Sequence, residues 1–302
     1  MDKSRLQGVM VASVTPMTEQ GQLDEGAVGA LMDYYADSGL SGVLFPSSTG
    51  EYFAMTNEQR RRCVAAAARH NARRLTLIGN ISEGSLAAAM ENARAMADCG
   101  AEAVVLMPPQ FHHHTQDELV DYYTYAADHS PLPILIYNHM TRLPSKVEIP
   151  TMMKLKDHPN IAGVKDTHND AARLMTLSTL LREDEPFTVL AGGDGMAAYS
   201  ALFHMEMLNA LCAIRPDIFL ALYQAGRQND WAAASALQQR VNRLMGVFTA
   251  FKGGKSSAAL FSQAVKGALY LKGLLCTMRA VQLGYEIDES DLARLRQVLE
   301  SV

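Results

Sequence analysis

Pro159-Asn-Ile-Ala-Gly-Val-Lys-Asp-Thr167 decides how this chain is read. Its apolar run, Ile161-Ala-Gly-Val164, stops on Lys165. Between helix-like segments such a run reads as a buried parallel strand. A lysine at the carboxyl end of that strand points either into water or into a site. Burial disfavours the ammonium form, and a neutral lysine amine attacks ketones to form Schiff bases. Position alone leaves both readings open.

On either side of this stretch the same alternation repeats. Val9–Pro16, Ser41–Pro46, Leu75–Asn80, Ala103–Pro108 and Pro133–Tyr137 are apolar, β-branched runs, and each is followed by a helix-like segment. These segments begin near Glu25, Asn57, Gly84, Gln116 and Pro150. After the Lys165 strand come a helix near Asp170, a run Phe187–Ala191, a helix near Met196, a weaker run Met207–Ala213 and a helix from Pro216. Eight strand-then-helix units predict an α/β fold of the (β/α)8 TIM barrel type, closing near residue 226.

Beyond that point the pattern is wholly helical. Trp231, Ala234, Leu237, Val241, Leu244, Phe248 and Phe251 recur at intervals of three or four, one apolar stripe that Gly253-Gly254 would break. A second apolar segment covers Ala258–Leu275, and a third, Leu292–Leu299, follows a cap expected at Ser290. The expected organisation is a barrel over 1–226 and a C-terminal helical extension over 227–302 packed on it.

With 48% hydrophobic and 20% charged residues, the 302-residue chain has ample core material. A net charge of −5 with scattered Lys and Arg argues against nucleic acid as a partner. The amino terminus lacks a signal-peptide core, and no apolar run reaches the roughly 18 residues of a membrane span, so the expectation is a cytoplasmic protein with no membrane partner. Cys63, Cys99, Cys212 and Cys276 lack metal or redox spacing and read as reduced, mostly buried thiols. His112-His-His114 reads as a polar loop, because three consecutive histidines splay apart. Gly253-Gly-Lys-Ser256 echoes a phosphate loop, but Thr249 stands where its first glycine belongs.

In a barrel the active site lies at the carboxyl ends of the strands. Ser47-Ser-Thr-Gly-Glu51, Tyr137, Lys165 and Gly192 all fall there. Small hydroxyl residues beside a glycine suit a carboxylate but also make an ordinary turn. A strand-end tyrosine either packs or moves protons.

Taken together and in order, Thr15-Pro16, Ser47-Ser-Thr-Gly-Glu51, Pro108-Pro109, Tyr137-Asn138, Gly163-Val-Lys-Asp-Thr167 and Gly192-Gly-Asp194 resemble the dihydrodipicolinate synthase/N-acetylneuraminate lyase family of class I aldolases, over nearly the whole chain. The resemblance implies that Lys165 forms a Schiff base with pyruvate or another 2-oxo acid and that Tyr137 carries protons beside it. It implies that Ser48 and Thr49 hold the 2-oxo acid carboxylate, with Gly192 in the pocket wall. It also implies a homo-oligomer, tetramer or dimer, and no metal or organic cofactor, since the covalent imine does the work.

Departures bear on the second half-reaction. Where synthases carry a relay tyrosine from a neighbouring subunit, this chain has Phe111. Arg142 matches the arginine with which synthases grip an acidic aldehyde, a task its forked guanidinium suits. Thr167 and Asp194 match positions that sugar-acid lyases direct at substrate hydroxyls. His204-Met-Glu-Met207 and then Asn209 replace a glycine-rich approach, and are expected to narrow the pocket or alter its second-substrate end. The resulting expectation is a pyruvate-dependent lyase acting on a hydroxylated 2-oxo acid, of the 2-keto-3-deoxy sugar acid or 4-hydroxy-2-oxo acid type. The alternatives are dihydrodipicolinate synthase itself, a dehydratase on the same scaffold, and a barrel that binds a 2-oxo acid without turnover.

Overall fold

Eight parallel strands close into a ring in chain order: β1 Val9–Ala12, β2 Gly42–Leu44, β3 Thr76–Asn80, β4 Ala103–Leu106, β5 Ile134–His139, β6 Ile161–Thr167, β7 Thr188–Ala191 and β8 Glu206–Asn209, the last pairing with β1. A computed structural model describes residues 2–140, 143–181, 185–251, 257–282 and 284–302. The strands read as unbroken apolar runs because both faces are covered. One face fills the barrel with Met10, Leu44, Ile78, Val105, Leu135, Leu190 and Leu208. The other packs beneath the helix layer through Val11, Val43, Leu77, Val104, Ile136 and Val164. The TIM barrel expected from the strand-then-helix alternation is therefore the fold.

The helices α1 Glu25–Asp37, α2 Asn57–Asn71, α3 Leu86–Asp98, α4 Gln116–His129, α5 Ile149–Leu155, α6 Ala171–Leu180, α7 Ala197–Leu202 and α8 Pro216–Arg227 form that layer. Their starts are written locally. Thr56 with Gln59 and Thr115 with Glu118 form capping boxes, and Asp24, Ser85 and Asp170 cap single-handed. No helix among the described residues is long and apolar enough to cross a membrane.

The bulge in β6 sets the geometry of the site. Ile134 pairs with Ile161, but Leu135 pairs with Gly163, so Ala162 is the extra residue and Tyr137 falls opposite Lys165. An unshifted register would have set Tyr137 against Val164, whose side chain faces the helices, and left Lys165 opposite Asn138. Gly163 is required here because a Cβ would lie 2.0 Å from the Thr188 carbonyl oxygen.

Three expectations need correction. The eighth strand is Glu206–Asn209, and Leu211–Ala213 is a 3-10 turn rather than strand, since the chain must leave the barrel before α8. The stripe from Trp231 to Phe251 is not one helix. α9 spans Trp231–Leu244 and gives way to a 3-10 turn over Met245–Thr249 that carries Phe248, while Trp231 in the first turn stays 57% exposed. After α10 (Ser257–Leu271), α11 (Glu289–Glu300) is capped by Asp288, which forms a capping box with Asp291 and also accepts from Ser290, so Ser290 is not the cap. Gly253-Gly254 and the rest of that loop lie outside the described residues. Cys63 and Cys212 are buried, Cys99 is half-buried and Cys276 is exposed.

Candidate active site

At the carboxyl ends of the strands a cavity of about 200 Å3 opens, and Lys165, Tyr137, Thr49, Thr167, Gly192 and Asp194 line it. Strand alternation puts Tyr137 and Lys165 on the same inward face. Lys165 is 4% exposed and Tyr137 3%. The Lys165 Nζ lies 4.0 Å from the centroid of the Tyr137 ring. Ser48 stands one layer back and donates from its Oγ to the Tyr137 hydroxyl at 3.4 Å.

The hydroxyl-bearing loop is pinned from several sides. Ser47 Oγ donates to the Ser13 carbonyl at 2.8 Å and accepts from the Gly50 N–H at 3.0 Å, and Thr15 Oγ1 donates to the Gly50 carbonyl at 2.7 Å. Glu51, in the left-handed region at φ 63°, turns its carboxylate away to the C-terminal extension. There it accepts from Ser262 Oγ, Lys266 Nζ and the Val281 N–H. Behind Lys165, Asp166 faces outward and is held by Asn138 Nδ2, Arg173 Nε and the His168 ring. Burial would raise its carboxyl, but the His168 and Arg173 contacts win and keep it below the ordinary carboxylate range.

Thr167 presents an Oγ1 that is buried and makes no hydrogen bond among the described residues. A buried hydroxyl left without a partner is costly, and one at the wall of a cavity is ready for a ligand. Gly192 gives it room: a Cβ there would lie 2.3 Å from Thr167 Oγ1 and 3.3 Å from Lys165 Cε. Asp194 sits on a 3-10 turn after β7 and accepts from the Leu211 N–H at 3.3 Å. Enclosure pushes its carboxyl up to about 6, against the pull of the Leu211 N–H and the Lys165 charge.

That shift makes a stability prediction. The folded carboxyl titrates near 6 and the unfolded one near 3.8. Between those values the folded chain binds more protons than the unfolded chain, so stability falls as pH rises from about 4 to about 6 and is level above. Asp194→Asn removes this slope. Relative to the parent, the variant is expected to gain up to about 3 kcal/mol between pH 4 and pH 7. Melting curves of the two proteins that stay parallel across that range would contradict the raised carboxyl.

Not every expected residue reaches the cavity. Leu208 fills the barrel interior, so its neighbour Asn209 faces the other side of β8. Asn209 is buried behind the wall beside Asp194, whose carboxyl its side chain helps to hold down. Arg142 lies outside the described residues. The stretch His204–Met207 neither narrows the pocket nor touches its second-substrate end. It lies at the opposite, amino-terminal end of the barrel, where Glu206 accepts from the Gly8 N–H, the Tyr223 hydroxyl and Arg227. A separate cavity of about 340 Å3 opens there, far from Lys165, with His204 and Glu206 in its lining. His112, His113 and Phe111 are exposed on the loop before α4.

Among the lining residues that the sequence did not assign to the site are His139, Asn169, Met245, Phe248 and Phe261. His139 had a signal, since it lies two residues beyond Tyr137 on the same strand face. Asn169 follows the Lys165 strand in a tight turn with φ 50°. Met245, Phe248 and Phe261 come from the extension, and no local pattern points them at the barrel mouth.

This arrangement provides a sheltered amine, a phenol beside it, hydroxyls from a pinned loop and a carboxyl across the cavity. Such a set can condense with a carbonyl and move protons at the adduct.

Comparison with known proteins agrees with that chemistry. The Dihydrodipicolinate synthetase family profile matches residues 5–298. A 4-hydroxy-tetrahydrodipicolinate synthase from Gluconacetobacter diazotrophicus is 30% identical over 243 residues, covering 80% of this chain and 82% of that protein. An N-acetylneuraminate lyase from Rhizobium meliloti is 28% identical over 300 residues, covering 99% and 96%. Among solved structures, a dihydrodipicolinate synthase from Bacteroides thetaiotaomicron superposes with a TM-score of 0.91 at 23% identity over 98% of this chain and 99% of that one. The dihydrodipicolinate synthase from Acinetobacter baumannii, solved with pyruvate, gives 0.86 at 25% identity over 98% of both chains. The chain belongs to the dihydrodipicolinate synthetase family, and as an enzyme it is a carbon–carbon lyase of the class I aldolase type.

Proposed function

We propose that Lys165 condenses with pyruvate or another 2-oxo acid and that the chain cleaves, or in reverse makes, the C–C bond of a hydroxylated 2-oxo acid. The Lys165 amine adds to the C2 ketone and water leaves. The resulting imine draws in the electrons of the C3–C4 bond as it breaks, so the carbon bearing the hydroxyl departs as an aldehyde. Tyr137, with its hydroxyl held by Ser48, carries protons at C3 and at the departing oxygen. Thr49 and the backbone of the Ser48 loop take the carboxylate. Thr167 and Asp194 face the substrate hydroxyl.

The observation that carries this reading is the Thr167 hydroxyl, buried without a partner on the wall of the cavity that also holds the Lys165 amine. A substrate hydroxyl satisfies it; a plain methylene does not. Dihydrodipicolinate synthase activity is the second reading, favoured by the relative of that name at 30% identity. Against it stands Phe111, 88% exposed and without a hydroxyl for the relay that synthases draw from a neighbouring subunit.

Pyruvate with borohydride should leave a reduced pyruvyl mass on Lys165, and hydroxylated 2-oxo acids should release pyruvate. An adduct at another residue, or none, defeats the Schiff base. Faster turnover of pyruvate with aspartate semialdehyde than of any hydroxylated 2-oxo acid moves the assignment to the synthase.

A further inference from the structure

The cavity around Lys165 has two walls of different chemistry. The barrel supplies the polar one, with Thr49, His139, Thr167, Asn169 and Asp194 around Lys165. The C-terminal extension supplies the other, made of Met245, Phe248 and Phe261. The rings of Phe248 and Phe261 stack at 4.2 Å with an interplanar angle of 11°, which gives a continuous apolar surface. Met245 lies over the Asp194 turn, its Sδ and Cε 4.0 Å from the place a Cβ on Gly195 would occupy. Because residue 195 has no side chain, nothing on that turn interposes a polar group between Asp194 and the thioether.

A phenyl ring donates no hydrogen bond, and a thioether is only a weak acceptor. A substrate chain that runs from the Lys165 imine past Thr167 and Asp194 finds further polar partners where it turns toward His139 and Asn169, whereas a chain that turns toward the extension meets, among the described residues, only hydrocarbon and a thioether. Each further hydroxyl set against that wall loses water without replacement, which costs about tenfold in kcat/KM. A methylene or an aromatic ring at the same place is favoured by its own burial.

We propose that the aldehyde half of the substrate carries an apolar tail, alkyl or aryl, so that the preferred substrate is R–CH(OH)–CH2–CO–COOH with R a hydrocarbon group rather than a polyol. The inference rests on the retro-aldol reading above and narrows it. The bond that breaks is C3–C4. Its electrons pass to the imine and return to C3 with a proton, and the C4 hydroxyl gives up its proton as R–CHO forms. Hydrolysis of the imine then yields pyruvate. Atoms and electrons balance with no oxidant or reductant.

The test pairs two 4-hydroxy-2-oxo acids that differ only in R, one bearing a propyl group and the other a trihydroxypropyl group as in a 2-keto-3-deoxy sugar acid. Pyruvate release is followed, and the reverse condensation is run from pyruvate with butanal or with the matching polyol aldehyde. The propyl compounds should be favoured by about 10- to 100-fold in kcat/KM, and Phe248→Asn should narrow that gap by about tenfold, chiefly through KM. Borohydride trapping with pyruvate alone separates the two levels of the argument. No adduct at Lys165 brings down the parent reading. An adduct accompanied by equal or faster turnover of the polyol, or by no reaction with either tail, overturns the apolar-tail proposal and leaves the Schiff base standing.

Discussion

Lys165→Met is expected to lower kcat/KM for C–C cleavage on the order of 10⁴-fold or more and to abolish the borohydride-trapped pyruvyl mass, because the covalent intermediate has no other amine to form on. Methionine has nearly the length of lysine and suits a position that is 4% exposed and paired with Tyr137 and Leu190 in neighbouring strands. The variant also places a thioether rather than an amine in the buried barrel mouth, so its melting temperature should not fall, and lost activity cannot be ascribed to unfolding. Tyr137→Phe keeps the ring 4.0 Å from the amine but deletes the hydroxyl that Ser48 contacts. Its expected loss is about 10²–10⁴-fold, the usual worth of a positioned proton carrier. The two residues serve one intermediate, so the double variant should be no worse than Lys165→Met alone. Lys165→Met retaining a tenth of the parent rate, or Tyr137→Phe turning over at the parent rate, would be fatal to the roles proposed for this pair.

Both members of that pair are legible in the sequence for one reason: each ends an apolar run, and in a barrel strand ends converge on one rim. The ring of strands is legible on the same basis, because a strand covered on both faces must be apolar throughout, as Ile161–Val164 and Ala103–Leu106 are. What the alternation does not convey is register. The shift at Ala162 that turns Lys165 to face the same way as Tyr137 depends on Gly163 meeting the Thr188 carbonyl, a contact between distant residues. The ends of β8 are blurred for a related reason. Met207–Ala213 is apolar apart from Asn209, yet only Glu206–Asn209 finds partners, and His204 thereby falls at the barrel floor rather than at its mouth. The start of α11 falls at Asp288 rather than Ser290 because the Asp288 carboxylate accepts from the Asp291 N–H, which residue type alone does not reveal. The wall made by Phe248 and Phe261 is not legible, because the stripe that holds Phe248 and the apolar segment that holds Phe261 say that they pack and not against what. Thr167 and Asp194 came from the family resemblance, and their geometry adds what the motif does not contain: an unpaired hydroxyl and a carboxyl raised to about 6.

Lys266→Met should be the most destabilising single change at a residue outside the catalytic rim. Lys266 on α10 is 0% exposed, and its Nζ reaches Glu51 Oε1 at 3.0 Å and the Arg279 carbonyl at 2.7 Å. Ser262 and the Val281 N–H complete the shell around the Glu51 carboxylate at 2.7 and 2.9 Å. Every one of these donors comes from the extension, while Glu51 ends the Ser47–Glu51 loop of the barrel. Burial pushes the Lys266 ammonium toward its neutral form and the Glu51 charge holds it back, so neither ion is stable there alone. Removing the cation leaves a buried carboxylate without a countercharge, a loss of about 3–5 kcal/mol, or roughly 10 °C in melting temperature for a chain of this size. The defect should also reach the site, because the loop that Glu51 anchors carries Ser48 and Thr49, and KM for the 2-oxo acid should rise more than kcat falls. Glu51→Gln combined with Lys266→Met replaces two charges by an amide and a thioether of similar shape, and should recover most of the lost stability because no bare ion remains. If the double variant melts no higher than Lys266→Met, electrostatics is not the cause, and the extension is joined to the loop by packing instead. Recovery of stability without recovery of KM would mean that the charge itself shapes the Ser48–Thr49 loop, because in that protein the extension is docked and only the ion pair is gone.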